Sequence, residues 1–193
     1  MLRNELKIAL RFTLLTSVIL GILYPLAVTA IGQFALPRQA DGELILANGQ
    51  VIGSRLIGQS FTGDQYFHGR PSAAGNGYDA TSSGASNLAP TSQKLIARIA
   101  GDRKQYAPEN QQPLVPIDLV TASASGLDPD ISPAAALFQA ARVASARNLP
   151  VARVEDAVRR HVQGRQFGWL GEERVNVLLL NLDLDRETAA TRP

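Results

Sequence analysis

The sequence predicts a mixed α/β (α+β) protein with one N-terminal transmembrane helix and a single extracytoplasmic domain, in which a small sheet packs with about three helices. Three observations lead to this fold class. A stretch of 25 residues without a charge lies near the N-terminus. An Asn-Gly pair between two apolar segments indicates a β-hairpin, and three later segments repeat apolar residues with helical spacing.

The uncharged stretch, residues 12–36, is long enough to cross a membrane. As an α-helix it extends for roughly 37 Å, which exceeds a hydrocarbon core of about 30 Å. Three basic residues precede it, namely Arg3, Lys7 and Arg11. Because basic flanks stay cytoplasmic, residues 1–11 are predicted to form the cytoplasmic N-terminus and residues 37–193 the extracytoplasmic domain. The expected location is the inner (cell) membrane, with a single pass and with lipid around the helix.

Two alternatives compete with an uncleaved anchor. A signal peptide has a shorter apolar core that ends in small residues, and Val28-Thr29-Ala30 could serve as its cleavage site. The apolar run continues past that site to Leu36, which favours a retained anchor. A buried core helix of a soluble protein is the other alternative, but such helices seldom need so long an uncharged run.

The composition excludes several classes of function. The chain has no cysteine, which excludes disulfides, thiolate metal sites and a cysteine nucleophile. Its two histidines, His68 and His161, lack a metal-ligand spacing such as HExxH, so no metal site is predicted. Residues 37–193 carry sixteen basic and sixteen acidic side chains. No nucleic acid partner is expected, because this balance leaves no strongly basic surface.

The membrane helix has small residues at a spacing of four. Ser17, Gly21, Pro25 and Thr29 follow one another at this interval, and small residues let a second helix approach the backbone closely. These four are candidate partner-facing residues. The alternative is that a lone anchor tolerates them by chance, since Gly and Pro are common in membrane helices. Pro25 also predicts a kink, because it lacks an N–H and crowds the carbonyl of Gly21.

The domain after the anchor is expected to begin with a hairpin and to continue with helices and two strands, of which the second is covered on both faces. The hairpin pairs Glu43–Leu46 with Val51–Ile57 around a type I′ turn at Asn48-Gly49. One helix begins at a Thr91 or Ser92 cap and stops at Ala107-Pro108, a second has Ser132 as cap and Pro133 first, and a third begins at Val151. The predicted strands are Leu114–Thr121 and Arg174–Leu182, and the charged tail Asp183–Pro193 is expected to fray.

The glycine-rich segment between residues 42 and 84 is predicted to be ordered loop. Within it, Tyr66, Phe67 and Arg70 are candidate partner-facing residues of a recognition loop, Tyr66–Ser72. The alternative, which the pattern favours, is that the aromatic rings fill the core of the domain itself. Asp79–Pro90 is small and polar and could cradle an anion, but it lacks GxxxxGK[ST] and GxGxxG, so a loop that leads into a helix is favoured.

The serines raise the alternative of a membrane-anchored extracytoplasmic serine hydrolase. Candidate nucleophiles are Ser82, Ser83, Ser86, Ser123 and Ser125. His68 or His161 would then be the base. The GxSxG elbow is missing, and nothing in the sequence brings serine, base and acid together. No catalytic residue is therefore assigned.

Five segments carry a more specific signal than any of these motifs. They are GSRLIGQSF (Gly53–Phe61), YFHGRPSA (Tyr66–Ala73), SGASNLAPTSQKL (Ser83–Leu95), PIDLVTASASGLDPDISPAAA (Pro116–Ala136) and GEERVNVLLLNLDL (Gly171–Leu184). Together with the N-terminal span, they closely resemble the KdpC family, the C subunits of bacterial Kdp-type potassium-transporting P-type ATPases. One departure is Asp130, where the family pattern usually has histidine. A role that needs an imidazole there is in doubt, whereas the cap at Ser132 is unaffected.

The resemblance implies a non-catalytic accessory subunit of a high-affinity potassium import complex. Its partners would be a potassium-translocating subunit and an ATP-hydrolysing subunit. The family is also described as a catalytic chaperone that raises the ATP affinity of the hydrolysing subunit. Nucleotide is cytoplasmic, and only residues 1–11 are predicted on that side. We therefore expect no directly bound cofactor, and an ATP effect exerted through the partner subunit.

Overall fold

The computed structural model describes residues 2–47, 49–106 and 114–190 of the chain. They belong to two units, Met1–Ile52 and Gly53–Pro193. The first unit consists mainly of one long helix, and the second contains the larger sheet and four helices.

The long helix extends from residue 2 to residue 35. It comprises α1 (Leu2–Val18), a π-helical segment (Ile19–Leu23) and α2 (Tyr24–Ala35). None of its residues is buried, and an 18-residue window reaches a mean hydropathy of 2.2. Among the described residues it is the one helix long and apolar enough to cross a membrane. A short helix, α3 (Pro37–Ala40), follows it.

The π-helical segment lies directly before the proline that was predicted to disturb the helix. The backbone N–H of Tyr24 donates to the carbonyl of Ile19, five residues earlier. Pro25 follows at the start of α2 and has no N–H to donate. A π turn is one of the recognised ways in which a helix accommodates such a residue, so the irregularity appears where the sequence placed it.

The predicted hairpin is confirmed by a two-stranded sheet of β1 (Leu44–Ala47) and β2 (Gln50–Ser54). Gly49 has the positive φ, +77°, that a type I′ turn requires of its second central residue. Asn48, the first central residue, lies outside the described residues.

The second unit is built from four helices and a three-stranded antiparallel sheet. The helices are α4 (Gln93–Tyr106), α5 (Pro133–Arg147), α6 (Val151–His161) and α7 (Val177–Ala190), and the strands are β3 (Asp130–Ile131), β4 (Val162–Gln163) and β5 (Arg174–Asn176). The strand order is β3-β5-β4, and Val175 in the centre pairs with Ile131 on one side and Val162 on the other. The mixed fold class is confirmed.

The core lies where α5, α6, α7 and β5 meet. Small apolar side chains dominate the packing between α5 and α6, because alanine and valine allow helix axes to approach closely. The apolar side chains at 1 % exposure or less in these two helices are Ala135, Ala136, Ala140, Val143, Ala144, Val154, Ala157 and Val158. Leu180 and Leu184 of α7 complete the cluster.

The start of α5 agrees with the sequence. The Oγ atom of Ser132 accepts a hydrogen bond from Ala135 N–H at 3.0 Å, and Pro133 occupies the first turn. The helix ends at Asn148, whose φ of +56° is the left-handed conformation typical of a helix terminus. The helix α4 ends at Tyr106, and its predicted stop at Ala107-Pro108 lies outside the described residues.

The predicted strand Arg174–Leu182 is wrong beyond its third residue. The strand ends at Asn176, whose Oδ1 accepts a hydrogen bond from Leu179 N–H at 3.1 Å and so caps α7. Five of the six residues from Val177 to Leu182 are apolar, because the start of α7 is largely buried. A helix buried on most sides lacks the continuous polar face that distinguishes it from a buried strand.

The predicted fraying of Asp183–Pro193 is also wrong as far as residue 190. Leu184 is fully buried, and Glu187 accepts ion-paired hydrogen bonds from Arg153 and Arg160 of α6 at 3.4 and 2.6 Å. The charged residues of the tail therefore tie α7 to α6. Residues 191–193 lie outside the described residues.

The predicted strand Leu114–Thr121 is wrong as well. Its centre is a 3₁₀ turn, Ile117–Leu119, in which Leu119 N–H donates to Pro116 O at 3.1 Å. Two apolar residues at the end of the segment fill the core from this turn instead, since Leu119 is fully buried and Val120 is 8 % exposed. Asp118 holds the turn in place by accepting a hydrogen bond from Ser132 N–H at 2.6 Å.

Candidate functional site

The small-residue face of the long N-terminal helix is open. A Cβ atom built on Gly21 would meet nothing within 4 Å, and Ser17, Pro25 and Thr29 are exposed. In a regular α-helix, residues four apart advance by about 40° beyond a full turn. The π-helical segment holds more residues per turn, so it offsets part of that drift and brings the four residues closer to one line.

The recognition-loop candidates are held by two buried amide side chains. Asn181 of α7 accepts a hydrogen bond from Phe67 N–H at 2.8 Å and donates to Phe67 O at 3.0 Å. Gln139 of α5 does the same for His68, at 2.8 and 3.1 Å. These two pairs of hydrogen bonds satisfy the backbone N–H and C=O groups of Phe67 and His68, which a neighbouring strand would otherwise bond. Phe67 itself is fully buried and belongs to the core.

Tyr66 and Arg70 are half-buried and interact within the domain. The guanidinium of Arg147 lies 5.3 Å from the centre of the Tyr66 ring, and the Phe61 ring lies 5.4 Å away on a tilted plane. Arg70 forms an ion pair with Asp128 at 2.9 Å and donates through Nε to Thr121 O at 3.2 Å. Phe67 therefore fills the core, as the alternative interpretation of the loop predicted. Tyr66 and Arg70 keep partial access to solvent.

A third set of hydrogen bonds joins this loop to residues 121–130. Ser72 Oγ donates to Gly126 O at 2.6 Å and accepts from Tyr78 N–H at 2.7 Å. The Tyr78 hydroxyl donates to Arg70 O at 2.7 Å. Burial, together with the nearby charge of Asp128, raises the pKa of Tyr78 to about 12. The phenol therefore stays protonated and acts as a structural donor.

A polar cavity of about 300 Å³ lies beside this cluster. His68, Arg70, Tyr78 and Asp102 contribute to its walls. Burial and the charge of Arg142 lower the pKa of His68, so its imidazole is neutral near pH 7, and Nε2–H donates to Gly63 O at 3.2 Å. Burial raises the pKa of the Asp102 carboxyl against the opposing effect of Arg98.

Three of the candidate hydroxyls and one nitrogen of each imidazole bond to main-chain groups. Ser83 Oγ donates to Ser125 O, Ser123 Oγ accepts from Gly126 N–H, and Ser125 Oγ accepts from Leu127 N–H. The hydroxyls thus order the loop backbone. The Nδ1 atom of His161 bonds to Ala157 O in its own helix, and His68 uses Nε2 on Gly63 O. A general base must reach the nucleophile, and these contacts direct both imidazoles to main-chain carbonyls.

Asp130, the departure from the family pattern, has a structural role. Its Oδ2 atom lies 3.1 Å from Arg174 Nε, and its Oδ1 atom accepts from Asn176 Nδ2 at 3.2 Å. Burial raises the pKa of Asp130, and the charge of Arg174 opposes this effect. The carboxylate therefore ties β3 to β5.

Residues 2–47, 49–106 and 114–190 contain no group of three His, Asp or Glu side chains placed to hold an ion. Sequence reasoning missed Gln139, Asn181 and Ser72, the residues that order the candidate loop. For the two amides a signal existed, because each is a polar residue on an otherwise apolar helix face, and a buried amide needs partners.

Comparisons with known proteins agree with the resemblance seen in the sequence. Residues 6–186 match the family model described as "KdpC: K+-transporting ATPase, c chain". A potassium-transporting ATPase KdpC subunit from Acidobacterium capsulatum is 57 % identical, over 95 % of this chain and 98 % of its own. Relatives with the same name from Koribacter versatilis and Mycobacterium tuberculosis are 52 and 53 % identical, over 95 and 96 % of this chain and 95 and 100 % of their own. The chain therefore belongs to the KdpC family.

Proposed function

We propose that this protein is a non-catalytic accessory subunit of an ATP-driven, high-affinity potassium import complex. Family membership supports the complex, since the relatives are named subunits of a potassium-transporting ATPase. The structural observation that carries the proposal is the long N-terminal helix, which is apolar and has no buried residue. An apolar surface of this length needs lipid or protein around it.

The proposed topology has residues 1–11 in the cytoplasm, residues 12–36 in the inner membrane and residues 37–193 outside the cytoplasm. The basic N-terminal flank supports this orientation. Because the chain has no cysteine, single cysteines can report on it. In spheroplasts, Lys94→Cys should react with a membrane-impermeant maleimide, and Lys7→Cys should react only after permeabilisation. The reverse pattern would reject the orientation, and a chain released into the soluble fraction would show that the anchor is cleaved.

The proposed partners are the potassium-translocating subunit and the ATP-hydrolysing subunit. The open face at Gly21 and Thr29 supports a helix–helix contact within the membrane. Gly21→Leu combined with Thr29→Leu should reduce co-purification of these subunits in detergent. Ala27→Leu introduces a leucine side chain away from this face and serves as the control. Unchanged co-purification of the double variant would leave the extracytoplasmic domain as the sole attachment.

The proposed effect on ATP is indirect. A subunit that stabilises the ATP-competent conformation of the hydrolysing subunit raises its apparent ATP affinity without contacting nucleotide. Two features support this view: the domain lies across the membrane from ATP in the proposed topology, and Arg70 in the polar cavity is already paired with Asp128. A photoreactive ATP analogue should label the hydrolysing subunit in oriented vesicles. Specific labelling of this chain beyond Leu36 would overturn both the indirect mechanism and the topology.

A further inference from the structure

The turn between β4 and β5 exposes three large apolar side chains. Phe167 is 87 % exposed, Trp169 72 % and Leu170 47 %. They are almost consecutive and lie at the tip of one turn. A contiguous apolar patch flanked by charged residues is more often an interaction site than the rest of a protein surface is. Trp is among the residues most enriched at the centres of protein interfaces.

The turn is preorganised. Gln166 N–H donates to Leu170 O, and Leu170 N–H donates to Gln166 O, both at 2.9 Å. Phe167 and Gly168 have φ values of +54° and +81°. Asn would suit the first of these positions better than a bulky residue, so Phe167 occupies a backbone conformation that is unfavourable for it. An ion pair of 2.8 Å between Arg165 and Glu172 closes the base of the turn.

An acidic depression of about 450 Å³ continues from the turn. Glu172 belongs to both, and five carboxylates and two arginines line the depression. Three arginines neutralise three of these carboxylates in ion pairs, namely Arg70 with Asp128, Arg174 with Asp130 and Arg165 with Glu172. Asp118 and Glu173 have no ion pair among the described residues. Ile117, which is 75 % exposed, adds apolar surface to the same depression.

We propose that the turn and the acidic depression form one docking surface for the extracytoplasmic face of another subunit of the complex. The inference rests on the proposed function. Charge complementarity defines the partner surface: an apolar socket for Phe167 and Trp169, with lysine or arginine beside it to face Glu173. A lipid surface is the other possible occupant. The excess negative charge argues against it, because anionic headgroups repel carboxylates.

The first test compares co-purification of matched variants of the full chain with its partner subunits. Phe167→Asn with Trp169→Ser removes both rings, and asparagine tolerates the positive φ. We expect about a tenfold loss of bound partner, typical of central aromatic contacts. Glu173→Lys should reduce binding less, and the reduction should diminish in high salt. Ile96→Ala and Asp64→Lys alter an exposed apolar and an exposed acidic residue elsewhere and should bind as the unaltered chain does.

The second test uses Trp169 as a reporter, since it is the only tryptophan of the chain. A chain labelled with 5-fluorotryptophan should give one ¹⁹F resonance. Assembly with unlabelled partner subunits should shift this resonance and protect it from a soluble paramagnetic agent. Lipid nanodiscs that contain only the labelled chain should leave it accessible.

Each outcome has a distinct meaning. Protection of Trp169 in nanodiscs that contain only the labelled chain would assign the surface to lipid and overturn the proposal. An accessible Trp169 in the assembled complex would also overturn it. Normal binding by the double ring variant would also overturn it. If the unaltered chain fails to co-purify with the partner subunits at all, the proposed function fails and this inference fails with it. Circular dichroism of each variant verifies that the domain remains folded.

Discussion

The helical half of the domain and its loop-rich half are held together by different forces. In the helical half, α5 packs on α6 through alanine and valine side chains that are almost completely buried. In the loop-rich half, residues 58–84 and 121–130, the main chain has little regular structure. Its backbone groups bond instead to side chains such as Asn181, Gln139 and Ser72.

The difference determines which substitutions each half tolerates. Apolar burial is non-directional, so the helical half should respond mainly to lost volume. A buried hydrogen bond needs one donor and one acceptor at the right distance. If one partner is removed, the other stays buried with no hydrogen bond to water or to another protein group. The loop-rich half should therefore be damaged even by substitutions that make it more apolar.

The largest effect is expected for Asn181→Leu. The variant keeps a side chain of similar size but removes the partners of both Phe67 N–H and Phe67 O. Each buried polar group left unsatisfied costs about 1–3 kcal/mol, so the free energy of unfolding should fall by about 4 kcal/mol. Chemical denaturation of the purified chain in detergent measures it.

The matched control is Asn76→Leu, which replaces an exposed asparagine. Its effect should lie within about 0.5 kcal/mol of zero, as is usual for surface substitutions. Equal stability of Asn181→Leu and the unaltered protein would show that the amide pair does not hold the loop, and the contrast between the two halves would lose its main support.

A somewhat smaller loss is expected for Gly126→Ala. The φ of Gly126 is +67°, and an added Cβ would lie 2.6 Å from Ala74 N and 2.7 Å from Gly84 O. Both neighbours are main-chain atoms, so the loops must separate. We expect a loss of about 3 kcal/mol in the same denaturation experiment. Gly164→Ala, where an added Cβ meets nothing within 4 Å, is the control, and a similar loss there would remove the steric explanation.

The two halves also differ in how far the sequence predicts them. The α5 start was predictable because Ser132 and Pro133 act through local bonds. The long N-terminal helix was predictable because its uncharged run is itself informative. The α7 helix was mistaken for a strand, since a run buried on most sides has no distinguishing period. The role of Asn181 depends on Phe67, 114 positions away, and no local pattern contains such a pairing.

Val158→Ala measures the effect of lost apolar volume in the helical half. Val158 is fully buried within the core, and the substitution removes two methyl groups without leaving a polar group unpaired. At about 0.8 kcal/mol per buried carbon plus a cavity contribution, we expect a loss of about 2 kcal/mol. Val151→Ala, at a 42 % exposed position of α6, should cost clearly less. A loss for Val158→Ala larger than that of Asn181→Leu would reverse the predicted order.

The smallest effect is a pH dependence that arises where the two halves meet, at His68. Burial and the charge of Arg142 lower the pKa of His68 below its ordinary value of 6.5, with weaker opposing effects from the hydrogen bond to Gly63 O and from the charge of Asp64. The folded protein therefore binds this proton less readily than the unfolded chain does. Its contribution to stability is complete above pH 6.5 and is lost as the pH falls from 6.5 towards the folded-state pKa.

His68→Asn should accordingly flatten the dependence of unfolding free energy on pH between pH 7 and pH 5, measured by denaturation at fixed salt. Asp102 and Asp130 have raised pKa values and contribute with the opposite sign, but from about pH 4 upwards. Asp102→Asn and Asp130→Asn, measured separately, identify the share of each. Cavity-forming Val158→Ala should shift the whole curve without changing its slope in this range, because it alters no titratable group. If the slope survives in His68→Asn, the buried imidazole is not its source, and the loop-rich half responds to acid through another group.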